Sequence, residues 1–217
     1  QGKAIQSTGL TTINQNASGG INWNSPAHID HSGKIPLETN GYTLCIDNKV
    51  VSSGSRATPI ISIASDTFIT QKNFWQNFPA SISTKYNEVL FSLFPEKYNF
   101  HHELQPGERK TYEIWLAFGE NKSHVNWVHN VNSTTMDKDW LNKSFLGQLF
   151  DTQNLKKDWE NLIQKGVEGD NNFFEKRETL DEFGWRNFGE LYADHETAGY
   201  QGTETFVSHY NNQYDPL

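Results

Sequence analysis

The chain has 217 residues, 26 acidic against 18 basic side chains and a net charge of −8. That length holds one sizeable domain or two small ones and buries a core without covalent staples, and a lone cysteine, Cys45, excludes an internal disulfide and a thiolate zinc framework. Lys and Arg never gather into the patch that nucleic acid requires, and no apolar run approaches the roughly 20 residues of a membrane span, so neither partner is expected.

From residue 1 to 40 the text is rich in Gly, Asn, Ser and Thr with few apolar pairs, and predicts only irregular edge strands and loops. His28 and His31 flank Asp30 there, a pattern that can bind metal but reads as a polar loop, and it receives no catalytic role. Four short stretches then read as strands, expected to pair in antiparallel sheets: 41–47, 57–65, 87–94 and 109–118, each β-branched or aromatic and bounded by turn residues. His101 and His102 are expected to finish a strand before the turn at 105–108. In 109–118, Tyr112, Ile114, Leu116 and Phe118 alternate with Thr111, Glu113, Trp115 and Ala117, and the first set is expected to face the core.

After Gly119 the period changes from two to nearly four. Residues 137–150 place Leu141, Phe145 and Leu149 on one helical stripe, interrupted by Gly147. Residues 151–166 set Leu155, Trp159, Leu162 and Ile163 on another, with Asp151 as expected N-cap and Gly166 as the terminal glycine. Strands followed by helices without alternation predict an α+β chain: a β-domain over 1–120 and a helical one over 121–217, meeting between 119 and 135. The apolar stripes of the helical half outnumber the helices available to cover them, so the chain reads as a piece of a longer protein whose remainder packs on that half.

The closing stretch, Gly184 to Leu217, sets Arg186, Asn187, His195, His209, Tyr210, Asn211 and Asn212 among aromatics with scarcely an aliphatic residue between them. Each has a bland reading. Arg186 and Glu190 stand at i, i+4 and make a surface ion pair; Trp185, Phe188 and Tyr192 make a core stripe; Asp194, His195 and Glu196 make an oriented imidazole, a cation site or a solvated helix end. The run from Ser208 to Asp215 resists such readings, because neither helical nor strand period accounts for two Asn, one Gln and one His in an aromatic frame.

The stretches "FWQNFP" at 74–79, "LFP" at 93–95, "HELQPGERKT" at 102–111, "KRETLDEFGWRNFGELYADHE" at 176–196 and "FVSHYNNQYD" at 206–215 resemble the signature blocks of the exo-rhamnogalacturonan lyase-like family. The likeness extends over most of the chain from Arg56 onward. It implies an antiparallel β-sandwich leading into the first helices of an α/α-toroid, an internal piece of a large bacterial protein, a periplasmic or secreted location, and a polysaccharide or oligosaccharide substrate containing uronate.

A polysaccharide lyase removes the C5 proton of a uronate and expels the oxygen at C4, so it must neutralise the sugar carboxylate and supply a base and an acid. In this assignment Arg186 and Asn187 neutralise the carboxylate, His209 is the base with His195 its competitor, and Tyr210 is the acid. Asn211 and Asn212 contact the carboxylate or sugar, and Trp185 and Tyr192 form a sugar platform. No cofactor is implied, although calcium would serve the carboxylate. The rivals are a glycoside hydrolase using a pair among Asp181, Glu182, Glu190, Asp194 and Glu196, and a non-catalytic sugar-binding or scaffolding module.

Overall fold

The computed structural model describes residues 5–6, 9–86, 88–96, 102, 109–119, 123–130, 137–144, 157–170 and 172–184. Its strands are β1 Ile5–Gln6, β2 Thr11–Gln15, β3 Tyr42–Ile46, β4 Lys49–Gly54, β5 Ile60–Ala64, β6 Thr67–Gln71, β7 Ala80–Lys85, β8 Glu88–Ser92 and β9 Ile114–Phe118. They form two sheets, ordered β1-β5-β6-β9 and β4-β3-β2-β7-β8. All neighbours are antiparallel except β1 and β5. The β3–β4 hairpin turns on Asp47 and Asn48, both at positive φ (47° and 64°), the two-residue geometry that matches strand twist.

The sheets face each other across one apolar layer. Ile13, Ala80 and Ile82 from one side meet Ile61 and Ile69 from the other, and Phe74 fills the space between them. Each such aliphatic side chain contributes roughly 1.5–3 kcal/mol by leaving water. The four strands expected from the sequence appear as β3, β5, β8 and β9. The region before residue 40 is a correction: Thr11–Gln15 is not irregular but the central strand of the five-stranded sheet. Its inward residues are Thr11, Ile13 and Gln15, and two polar side chains out of three hide the apolar signal.

A second correction concerns β9. Ile114, Leu116 and Phe118 are 45, 49 and 70 % exposed, whereas Ala117 on the opposite face packs with Ile60, Phe68 and Val125. The alternation exists, but β9 is an edge strand, and Leu116 stands opposite Ile69 at the margin of the inter-sheet layer. The covered face is the outer one, over which the chain folds back after Gly119: Trp127 meets Trp115 edge-on at 4.7 Å. His102 lies outside any strand, its ring against Phe94 and its Nε2 3.1 Å from the Pro95 carbonyl.

The helices are α1 Ser123–Asn126, which tightens into a 3₁₀ turn at Trp127–His129, α2 Lys138–Lys143, α3 Lys157–Val167 and α4 Phe173–Leu180. The Asp137 carboxylate accepts the Trp140 amide at 2.8 Å and starts α2. Within the second expected helix, Gly166 is helical and the positive φ falls later, at Gly169 (86°). Asp151, Leu155, Phe145, Gly147 and Leu149 lie outside the described residues. On α3, Trp159, Leu162 and Ile163 are all exposed. No helix among the described residues is long and apolar enough to cross a membrane.

Helix α4 opens on Asn172, whose side-chain oxygen accepts the amides of Phe174 (2.8 Å) and Glu175 (3.0 Å). Asn172→Ala leaves both donors without that acceptor and is expected to cost about 1 kcal/mol, a fall of roughly 2–4 °C in Tm by circular dichroism.

Candidate functional site

The end of α4 is seated on the sandwich by side chains from the loop after β2. That loop is fixed first by Gln15, buried in the core, whose amide donates to the carbonyls of Ala17 (2.7 Å) and Ser55 (2.8 Å) and accepts the Ala57 amide at 3.0 Å. Gly19 (φ 80°) and Gly41 (φ 65°) press against the carbonyls of Ser55 and Gly54, where a Cβ would overlap an oxygen.

A helix ends with four carbonyls that lack intrahelical donors. Here the loop supplies some of them. Asn22 Nδ2 donates to the Thr179 carbonyl at 2.8 Å and Ser25 Oγ donates to that of Leu180. Asp181, next in the chain, adopts the left-handed conformation (φ 56°, ψ 47°) that closes a helix. Its fully buried carboxylate lies between two loop residues: Ser18 Oγ donates to Oδ1, and His28 Nε2 stands 2.7 Å from Oδ2. A carboxylate accepts, so the Nε2 of His28 carries the proton. The His28 ring meets Phe78 edge-on at 5.4 Å.

The seat continues through Arg56. Its Nε donates to the Ser18 carbonyl (3.0 Å), its Nη2 pairs with Glu178 (2.7 Å), and its guanidinium carbon lies 4.2 Å from the Trp75 ring centroid and 5.0 Å from that of Phe183. Arg177 donates to the Glu182 carbonyl at 3.1 Å and covers Phe183 at 4.7 Å. Trp75 and Phe183 meet edge-on at 5.1 Å, and Gly184 (φ 97°) sits where a Cβ would be 3.0 Å from the Phe78 ring. Residues 74–79 and 176–184, a hundred positions apart, therefore form one seam. Residues 93–95 meet His102 and Lys110 in another. Lys110 Nζ donates to the carbonyls of Pro79 (2.7 Å) and Leu93 (2.8 Å), and Tyr112 OH also donates to Leu93.

Burial pushes the Lys110 ammonium down to about 7 and the Tyr112 phenol up. Between pH 7 and 10.5 the unfolded chain therefore holds a proton at Lys110 that the folded chain has released. Stability is expected to rise with pH across that window, and to fall as pH drops from 10.5 towards 7. Denaturant melts at several pH values check it: Lys110→Met should flatten the slope.

No family model, curated protein or solved structure matches the chain.

The Ser18, Asp181 and His28 side chains resemble a nucleophilic relay in composition but not in order. The carboxylate is central, the serine touches it and not the imidazole, and both Ser18 and Asp181 are fully buried, so no base can reach the hydroxyl and no substrate can reach either. The arrangement is a clamp. It also removes Asp181 from the carboxylates open to glycoside hydrolysis, since both its oxygens are spent on loop residues. Among the described residues no three His, Cys, Asp or Glu side chains are grouped to hold a metal ion. Asp30, beside His28 and His31, is instead turned on its own loop, accepting the Ser32 hydroxyl at 2.7 Å and the Lys34 amide at 2.9 Å, and these bonds lower its pKa.

Beside the seat opens a cleft of about 700 Å³, lined by Tyr42, Arg56, Asn126, His129 and Asn130 over an apolar floor that includes Ile13. Trp185, Arg186, Asn187, Tyr192, His195, His209, Tyr210, Asn211 and Asn212 lie outside the described residues. Sequence reading gave no site role to Ser18, His28 or Arg56. A loop has no period to flag them: Ser18 and His28 meet their shared partner only at the left-handed end of a helix more than 150 residues away, and Arg56 pairs with Glu178 122 residues away.

Proposed function

We propose that the chain is part of a bacterial, secreted or periplasmic carbohydrate-active protein that cleaves a uronate-containing glycan by β-elimination, its helical half being the start of an α/α-toroid. The observation that carries the reading is the seam at Phe183 and Gly184. The polar, aromatic closing stretch begins against the sandwich, beside Arg56 and Trp75, and the stretches meeting there are two of those similar to the exo-rhamnogalacturonan lyase-like family.

In the proposed reaction Arg186 and Asn187 hold the sugar carboxylate and stabilise the charge that gathers on it. His209 takes the C5 proton. The electrons of that bond become the C4–C5 double bond, the C4–oxygen bond breaks, and Tyr210 protonates the departing oxygen. His195 is the competing base, Asn211 and Asn212 bind the sugar, and Trp185 and Tyr192 stack on its C–H face. Any cation, calcium being the suitable class, would act on the carboxylate.

The test is incubation of a form extended beyond Leu217 with pectic and other uronate polymers, following the ultraviolet absorbance of unsaturated uronate. Rising absorbance is expected. Glycan retention without absorbance would favour the binding-module reading, which the cleft beside Arg56 supports.

A further inference from the structure

The cleft beside Arg56 has a chemistry of its own, carried by residues of the described sandwich and of the segment 126–130. Its volume of about 700 Å³ falls within the roughly 300–1,000 Å³ of small-molecule sites. Arg56 is the only permanently charged group among its described lining residues. Two of its five N–H groups are spoken for, on Ser18 and Glu178, and Glu178 lies outside the lining. Packed against Trp75 and Phe183 and bonded to Ser18 and Glu178, the guanidinium is fixed in orientation before any ligand arrives.

The other lining groups are neutral donors and acceptors. Thr70 Oγ1 spends its single proton on the Pro59 carbonyl (2.6 Å), so the 2.7 Å contact with His129 requires Nε2 of the imidazole to donate. Nδ1 of His129 is then the acceptor nitrogen of the neutral ring, the form that burial favours by lowering its pKa. Asn126 and Asn130 add side-chain amides. The Tyr42 ring rests on Gly54, where a Cβ would stand 2.7 Å from Cε1, so the bare glycine lets the ring lie down along the cleft wall. One fixed cation, an aromatic face and neutral amides suit a ligand with one carboxylate, several hydroxyls and an apolar C–H face.

We propose that this cleft is a subsite for a single hexuronate unit, with Arg56 taking the carboxylate, Asn126, His129 and Asn130 the hydroxyls, and Tyr42 the C–H face of the ring. The carboxylate preference rests on Arg56 alone; the choice of a sugar as its carrier rests also on the proposed glycan activity.

The experiment is an NMR titration of the 217-residue chain with methyl galacturonide and, in parallel, methyl galactoside, which differs by the carboxylate. Saturable shifts at Tyr42, Asn126, His129 and Asn130 are expected with the uronide. The neutral sugar should bind about tenfold more weakly, the effect of one charge-assisted bond. Asn130→Ala should weaken uronide binding with unchanged Tm, and Arg56→Gln, which removes the charge, should erase the preference between the two sugars. Should Arg56→Gln fail to fold, the two-sugar comparison on the unaltered chain decides. Shifts that are absent, scattered over the surface or equal for both sugars overturn the subsite. Uronide binding here without elimination on the glycan would remove the lyase reading and keep the subsite; elimination without these shifts would remove the subsite alone.

Discussion

Asp181→Ala is expected to lower the unfolding free energy by about 3–4 kcal/mol, a change read from the urea midpoint. The substitution strands two buried donors at once, Ser18 Oγ and His28 Nε2, each of which loses its acceptor far from water. Alanine also tolerates the left-handed backbone at φ 56° poorly, at a cost of about 1 kcal/mol. Asp181→Asn tests the account more finely. Asparagine is at ease in that conformation and keeps one acceptor oxygen, but it turns an NH₂ towards the other donor, so about half the loss is expected. Ser18→Ala and His28→Ala should each cost less than Asp181→Ala, and a double-mutant cycle with Asp181 should show strong coupling. Because the same carboxylate seats α4, limited proteolysis should also become faster beyond Gly184 in the alanine variant.

His209→Ala is expected to reduce elimination on a uronate polymer by about 10²–10⁴ in kcat, the usual worth of a positioned base, with Tm unchanged. Tyr210→Phe should have an effect of similar size through loss of the acid. Retained activity in the histidine variant would transfer the base role to His195, and the pH profile of His195→Ala would then decide.

What was legible in the sequence was periodic, and what was hidden was tertiary. β3, β5 and β8 announce themselves because their apolar residues are β-branched or aromatic and lie between turn residues. β2 is hidden because Thr11 and Gln15 occupy inward positions, and Gln15 is tolerated there only through three partners, Ala17 two residues on and Ser55 and Ala57 in a loop about forty residues away. β9 shows how far period alone reaches: it separates Leu116 from Ala117, but which face is covered depends on strand order and on the return of the chain over Trp115. The Gly184–Leu217 stretch stands out by composition and not by period. The clamp that anchors its start, Ser18 and His28 on Asp181, had no local signal, since a serine and a histidine in a polar loop look alike whether they face water or a buried carboxylate.

The proposed glycan activity is tested most directly by the structure of its product. Proton NMR of a uronate polymer after digestion should show an olefinic proton at C4 of each new non-reducing end, appearing in step with chain shortening and disappearing with His209→Ala. New reducing ends on fully saturated sugars would show hydrolysis instead, and an unchanged polymer that still binds would show a binding protein; either result contradicts β-elimination.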